Sequence, residues 1–592
     1  MRVRSSDVSS EFPHFCGAIW YNNTQKPMTF TASKFAKFLP TATFAMAVEY
    51  LMGLSDSVIC GQIIGEDGLS VINLMQPVFN VVSFIALLVG TGTSVLYAME
   101  MGRFDRRRAS ELLTQGLWSA LGFGLLLMGA LALSRNAATA AFGVSGAVLS
   151  GAREYWVWFL PCAVLEPLSF YFSSMCYADG DGRICAGAYT AQLLGNCALS
   201  IPLTMRYGFA GCAIGTTVGH LMALCVLLMH LRREENSMAF VRHFSLKDTW
   251  SICACALGDA SIRLCQAGLT LMLNLYVISR FGEGRLPVLA AVLAILGVSE
   301  AFDGVATAAQ PLASVYIGEN NDRLTRRIMD LAARVSATEG IALTLLLVAF
   351  PQLVVSMVGI TDPSLADAAR TAVRIVSLGL VGTAFVMLLN SYYTFRVREG
   401  LAVGVTALST FVLPVAIAPV AGWLFGERGV WSALAVSPYA AIAILAAYVA
   451  FRCGRGVFPL FLDRARIRRS RVYDLVLDAK SICDVSATVG RFLGTRKGMD
   501  ERKAGLVSLL VEETLMLVKD RNPGRRTHAE ISVDWSNGVV IVVRDDGILF
   551  DITDADSTAS SLRAYLVANL MVEIPARRNM TTTGFNRNMF RL

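Results

Sequence analysis

Twelve apolar stretches between Pro40 and Phe451 constrain this chain more than any other feature. Each is long enough to cross about 30 Å of hydrocarbon as a helix. They cover 40–64, 69–98, 113–134, 155–177, 184–204, 209–231, 250–278, 286–317, 334–358, 371–395, 400–424 and 428–452. Backbone polar groups at that depth find no water, so the stretches should be helical. Composition agrees, with 54% of 592 residues hydrophobic and 16% charged, against about a quarter charged in a water-soluble domain. The residues before Pro40 lack the charged, apolar, small-residue order of a cleaved signal peptide, so the first helix is expected to direct insertion. The thirteen cysteines include no CxxC pair or Cys/His cluster, and the five histidines form no HExxH-like pattern. Neither a metal site nor a disulfide framework is expected.

Arginine and lysine set the orientation. Arg103, Arg106, Arg107 and Arg108 follow the second stretch, and Arg232, Arg233, Arg242 and Lys247 follow the sixth. Arg323, Arg326 and Arg327 follow the eighth, and Arg464, Arg466, Arg468, Arg469 and Arg471 follow the last. The positive-inside rule places these loops and both termini in the cytoplasm of an inner-membrane protein.

The chain also repeats itself at an offset of 218 residues. Asp56 falls on Asn274, Gly182 on Gly400, Gly208 on Gly426 and Gly211 on Gly429. Six helices per repeat means that both halves begin on the same side, as parallel repeats about an axis along the membrane normal. The organisation expected is a segment 1–38, an N-lobe 39–232, a C-lobe 233–453, a basic linker 454–471 and a cytoplasmic α/β domain 472–592. Within the last, Met499–Asp520 reads as an amphipathic helix. His528–Trp535 and Val539–Arg544 read as strands about the turn Ser536–Asn537–Gly538.

An ionisable side chain at bilayer depth is a functional candidate by default. Asp56 lies in the first helix with Glu49 seven residues before it, two turns away on one face. Glu300 and Asp303 share a face of the eighth helix and are candidate cavity acids, or acids bonded to neighbouring groups. Asp259 and Arg263, four apart on the seventh helix, most simply neutralise each other.

Pro40, the run SDSVICG ending at Gly61, GTGTSVLYAMEMGRFD at 90–105, ADGDGRICAG at 178–187, GVATAAQPLASVYIGENND at 304–322 and GVWSA at 429–433 resemble the multidrug and toxic compound extrusion (MATE) family of secondary transporters over about 35–455. The resemblance implies an all-α polytopic membrane protein of twelve helices in two six-helix parallel repeats. It also implies antiport of cationic or amphipathic organic solutes against H⁺ or Na⁺. It puts Asp56 at the helix-1 carboxylate that binds the coupling ion and Asn196 at the family's helix-5 asparagine. Ser200 stands where the family has an acid. Two rivals stay open: a flippase for lipid-linked precursors, and a membrane sensor that signals through the C-terminal domain.

Glu512–Glu513, DDGILFD at 545–551 and GFNRNMFRL at 584–592 resemble the GHKL ATP-binding fold of the anti-sigma-factor serine kinases. The resemblance gives Glu513 the place of the general base, Asp545 that of the adenine ligand, and Gly547 that of the glycine beside the base. Leu517 stands where the magnesium asparagine belongs, and Ser560–Ser561–Leu562–Arg563 replaces the glycine-rich lid. Magnesium and backbone donors supply most of the electrostatic stabilisation in phosphoryl transfer. The expected domain is therefore non-catalytic and regulatory, with ATP binding as the second reading. The expected partners are the lipid bilayer, a small organic cation and a cytoplasmic protein, with no nucleic acid.

Overall fold

The computed structural model describes residues 29–141, 146–233, 236–358, 360, 362–454, 470–496, 499–535, 538–550, 552, 562–580 and 584–592. Among the described residues, ten helices are long and apolar enough to cross a membrane, and counting each of two bent helix pairs as one span brings the number to twelve. The first lobe holds span 1 (Phe30–Ile63), span 2 (Glu66–Gly102), span 3 (Arg106–Ala141), span 5 (Gly182–Tyr207) and span 6 (Phe209–Leu228). Its span 4 is the pair Gly146–Phe159 and Cys162–Ala178, bent by 48°. The second lobe holds span 7 (Leu246–Phe281), span 9 (Asp322–Ala349) and span 12 (Glu427–Tyr448). Span 8 joins Leu286–Val298 to Asp303–Gly318 through the 3₁₀ turn Ser299–Phe302. Span 10 is the pair Pro363–Ser377 and Leu380–Phe395, bent by 44°. Span 11 runs as Glu399–Ala407 and Leu413–Phe425 about a π-helical turn at Leu408–Val412.

Several helices outrun the apolar windows of the sequence. Span 1 begins at Phe30, ten residues before the first apolar stretch, with the Thr29 hydroxyl capping the Ala32 N–H. Its 34 residues reach about 51 Å at 1.5 Å per residue, so one end stands clear of the hydrocarbon. Phe30, Phe35 and Phe38 stay buried there, so the segment read as an N-terminal tail is in part helix. Span 9 likewise starts at Asp322, twelve residues before its window, because Arg323, Arg326 and Arg327 in its first turns hide it from a hydropathy count.

The repeat shows in the turns. Spans 2, 4, 8 and 10 each end in a residue with positive φ: Phe104, Gly180, Asn320 and Val397. In each, an N–H just past the helix reaches back five residues to a carbonyl: Asp105 to Glu100 at 3.0 Å, Asp181 to Cys176 at 2.9 Å, Asn321 to Tyr316 at 2.9 Å and Arg398 to Tyr393 at 2.8 Å. This is the bond that closes a helix through a left-handed residue. The four turns lie on one side of the bundle, which also carries the C-terminal domain. The ADGDGR turn is pinned further by His230, whose ring nitrogens lie 2.9 Å from Asp181 and 2.8 Å from Asp179. With a carboxylate at each nitrogen, the ring is held as an imidazolium.

The C-terminal domain is a five-stranded antiparallel sheet in the order β1-β2-β3-β5-β4, formed by β1 (Ser470–Val476), β2 (His528–Asp534), β3 (Val540–Asp545), β4 (Ala576–Met580) and β5 (Asn586–Arg591). Helices α1 (Ala479–Gly494), α2 (Glu501–Arg521) and α3 (Leu562–Glu573) complete it. Strand alternation sends Ile531, Val533, Ile541, Val543 and Phe590 into one core with these helices. Most of the basic linker (455–469), the turn residues Ser536–Asn537, Asp551, and Ser560–Ser561 of the lid lie outside the described residues.

On the domain side the two lobes meet closely where span 2 crosses span 8. A Cβ on Gly318 would enter the Met99 carbonyl, and one on Gly102 would lie 2.5 Å from the Val315 carbonyl oxygen. Small residues let helices approach where lipid gives no hydrophobic drive between them. Gly318→Ala should therefore destabilise the detergent-solubilised protein by about 1–3 kcal/mol through overpacking. Gly187→Ala, with nothing within 4 Å of the added Cβ, should leave the melting temperature unchanged or raise it.

Candidate functional site

Asp56 sits well along span 1 and is 6% exposed. Burying a carboxylate without partners costs several kcal/mol, so its surroundings must supply donors. Three helices of the same lobe do so. Asn196 of span 5 donates Nδ2–H to Oδ1 at 3.1 Å. Thr216 of span 6 and Tyr155 of span 4 donate to Oδ2 at 2.7 and 3.0 Å. Asn196 Nδ2 also lies 3.0 Å from Thr216 Oγ1, and its Oδ1 accepts from Ser55 at 3.3 Å. The Thr216 hydroxyl has a second acceptor within reach, the Cys212 carbonyl at 3.2 Å.

Of the three residues read from the sequence as the coupling cluster, Asp56 and Asn196 meet. Ser200 lies one turn further along span 5, and its hydroxyl donates to the Cys212 carbonyl at 3.4 Å. A Cβ on Gly215 would collide with that hydroxyl, so Ser200 fills the contact between spans 5 and 6. Tyr155 and Thr216 were not legible in the sequence. Each is one polar atom in an apolar helix, and only the tertiary fold aims it at Asp56.

Glu49 faces a different space. A cavity of about 1050 Å³, measured out to open solvent, lies between the lobes and is lined by Glu49 of the first lobe and by Asp259, Arg263, Asp303, Gln310 and Asn390 of the second. Asp56 is absent from its wall, because Tyr155, Asn196 and Thr216 cover the same helix face two turns away. Asp303 opens the helical segment of span 8 that lines the cavity. Glu300 falls in the 3₁₀ turn before it, with its side chain outside the described residues.

Asp259 and Arg263 attract each other as their spacing suggests, and each also has partners on other helices. Asp259 accepts from Thr91 across the lobe boundary at 3.1 Å and from Asn390 at 3.1 Å. Arg263 turns toward Glu49, with 3.8 Å between Nη2 and Oε1. Facing lobes offer these groups partners that spacing along one helix cannot reveal. A further bond between the lobes runs from Gln310 Nε2 to Ser94 Oγ at 2.6 Å.

In the C-terminal domain, Glu513 pairs with Arg563 at 3.0 Å and Leu517 is buried in the core. Asp545 is fully buried. Its Oδ1 accepts from Asn586 Nδ2 at 2.9 Å and from the Gly547 N–H at 3.1 Å. Burial pushes this carboxyl up to about 7, against those two bonds, which favour its charged form. Gly547 packs on Asn522, where an added Cβ would lie 2.6 Å from Nδ2. Both residues placed at an adenine by the resemblance make contacts within their own domain, while Asp545 Oδ2 is buried with no hydrogen-bond partner among the described residues.

Residues 41–201 match the MatE family model. Comparison with curated proteins gives no match. Among solved structures, the chain is similar to a MOP superfamily transporter from Pyrococcus furiosus Vc1 (DSM3638), described by a reverse polarity of its binding pocket that suggests a different function. The identity is 18% and the TM-score 0.67, covering 72% of this chain and 96% of that one. A multidrug resistance MATE family transporter of the MOP superfamily in an outward-facing conformation aligns with 19% identity and a TM-score of 0.67, over 72% and 96% of the two chains. A MATE protein in complex with MaL6 aligns with 19% identity and a TM-score of 0.65, over 71% and 95%. Residues 41–201 thus carry a MatE domain, and the membrane part of this chain shares the two-lobed fold of MATE and MOP superfamily transporters.

Proposed function

We propose that this chain is a secondary active antiporter that exports cationic or amphipathic organic solutes in exchange for a proton at Asp56, with Na⁺ as the alternative ion. The observation that carries the reading is the buried carboxylate of Asp56 held by Tyr155, Asn196 and Thr216. Its oxygens meet three N–H or O–H donors, which suits a bare carboxylate better than a sodium ion, since a cation needs oxygen lone pairs. Protonation has a local route. When Asp56 Oδ2 takes a proton, Thr216 turns its O–H to the Cys212 carbonyl and accepts from Asp56 instead. No polar atom then loses its partner. Ion binding and cargo binding that disfavour each other through the same lobe are coupled in free energy, as antiport requires.

The cavity supports the choice of cargo. Its wall holds Glu49, Asp259 and Asp303 against Arg263, a net negative lining that suits an organic cation and opposes a polyanionic lipid-linked precursor. Arginine-rich connections on the domain side support an inner-membrane protein with that domain and both termini in the cytoplasm. The C-terminal domain serves as a regulatory, non-catalytic unit, consistent with Glu513 paired to Arg563 and Leu517 buried.

Asp56→Asn should abolish ion-driven efflux of a cationic dye in vesicles while expression and melting temperature stay near wild type. Wild-type efflux in that variant would remove the role. Thr216→Val deletes a hydrogen bond to a charged group, worth about 1.5–3 kcal/mol, and should slow proton-driven efflux by roughly 10-fold or more. Ser200→Ala should stay within about twofold of wild type, since its hydroxyl bonds to backbone. Equal losses in these two variants would contradict the proton route.

A further inference from the structure

The face of the C-terminal sheet turned away from its own helices carries a row of charges in register across four strands. Asp474 of β1 stands opposite Glu530 of β2, Glu530 opposite Arg544 of β3, and Arg544 opposite Arg587 of β5. The row therefore contains two acids side by side and two arginines side by side. Like charges directly opposite each other destabilise a sheet. Yet Glu530, Arg544 and Arg587 are all 0% exposed. The membrane body resolves both conflicts. Arg327, at the start of span 9, reaches Asp474 at 2.8 Å and Glu530 at 3.6 Å. Glu319, just past span 8, pairs with Arg544 and lies 2.7 Å from Arg587 Nε.

Arg587 also grips the other lobe. Its Nη1 donates to the Met101 carbonyl at 2.8 Å, its Nη2 donates to the Gly102 carbonyl, and its guanidinium lies 3.6 Å from the centre of the Phe104 ring. These residues form the end of span 2, at the point where it crosses span 8 through Gly102 and Gly318. Span 1 joins the same contact, with the Phe30 N–H on Asp474 at 3.1 Å and the Thr31 hydroxyl on Glu530 at 3.0 Å.

We propose that the C-terminal domain functions as a lock on the domain-side gate of the transporter, with Arg587 bridging the two lobes. Separation of the lobes on this side draws Met101, Gly102 and Phe104 away from Glu319. Arg587 then cannot satisfy both, and a buried charge deprived of its partners is strongly unfavourable. The gate opens on this side only when the sheet face lets go, so whatever weakens the docking sets how often the cavity reaches that side. The inference rests on the two-lobed antiporter reading, but its test needs no transport.

Hydrogen exchange on the full chain in detergent or nanodisc reads the lock directly. Arg587→Ala, and separately Glu319→Gln, which leaves the sequence of the domain intact, should speed amide exchange over residues 99–104 and 315–321 by at least about 10-fold, the equivalent of 1.4 kcal/mol. The amides of β2 and β3 should stay protected. Unchanged exchange over 99–104 and 315–321 in both variants overturns the lock. Loss of protection throughout β2 and β3 in both overturns it as well, since the contact is then a requirement for folding. Should the segments loosen as expected while Asp56→Asn transports like wild type, the lock stands and the antiport reading fails.

Discussion

A carboxylate in the middle of a membrane protein must be held by donors or neutralised, and the first lobe is arranged around that requirement at Asp56. Span 1 supplies the acid, span 4 a phenol, span 5 an amide and span 6 a hydroxyl. None of the four helices could shift relative to the others without leaving a charge or a donor unpaired at low dielectric. The same geometry that holds the charge offers a place for its neutral form, through the second acceptor of Thr216. A site able to keep either protonation state satisfied is what a proton-exchanging carboxyl needs.

Three polar sites share one continuous helix. Near its outer end, Phe30 and Thr31 bond to the sheet of the C-terminal domain. Glu49 lines the space between the lobes, about 27 Å further on at 1.5 Å per residue, and Asp56 lies about 10 Å beyond it. A change in how span 1 is seated at Asp56 therefore has a rigid path to the cavity and to the docked domain. The second lobe carries no matching acid, since Asn274 takes the place of Asp56 in the repeat. The two halves share a backbone plan, visible in four equivalent helix-ending turns, while the buried carboxylate at this repeat position is in the first of them.

Much of the architecture was legible in the sequence because lipid imposes a simple rule. Apolar length reveals spans, and the 218-residue offset of Gly208 with Gly426 and Gly211 with Gly429 marks the repeat. In the structure Gly211 and Gly429 each lie against a carbonyl of the preceding span. Asp56 and Asn196 were legible because a polar group in such a helix needs a reason. Tyr155 and Thr216 were not, since a phenol or hydroxyl can satisfy itself in many ways. Arg263 was assigned to the nearest acid on its own helix, and the opposite lobe adds Glu49 as a further partner that spacing could not reveal. The charged row Asp474, Glu530, Arg544 and Arg587 becomes a pattern only once strand register is known. Span 1 beyond the membrane was hidden by its lysines and threonines.

Reconstituted vesicles loaded with a cationic dye, with a proton gradient and a sodium gradient imposed separately, show whether Asp56 exchanges a proton for cargo. Proton exchange at Asp56 requires that the proton gradient alone drive dye movement, with counterflow of protons measurable as a pH change that tracks the dye. Movement driven by sodium alone, or dye movement with no accompanying ion flux, would contradict a proton-exchanging carboxyl in the first lobe.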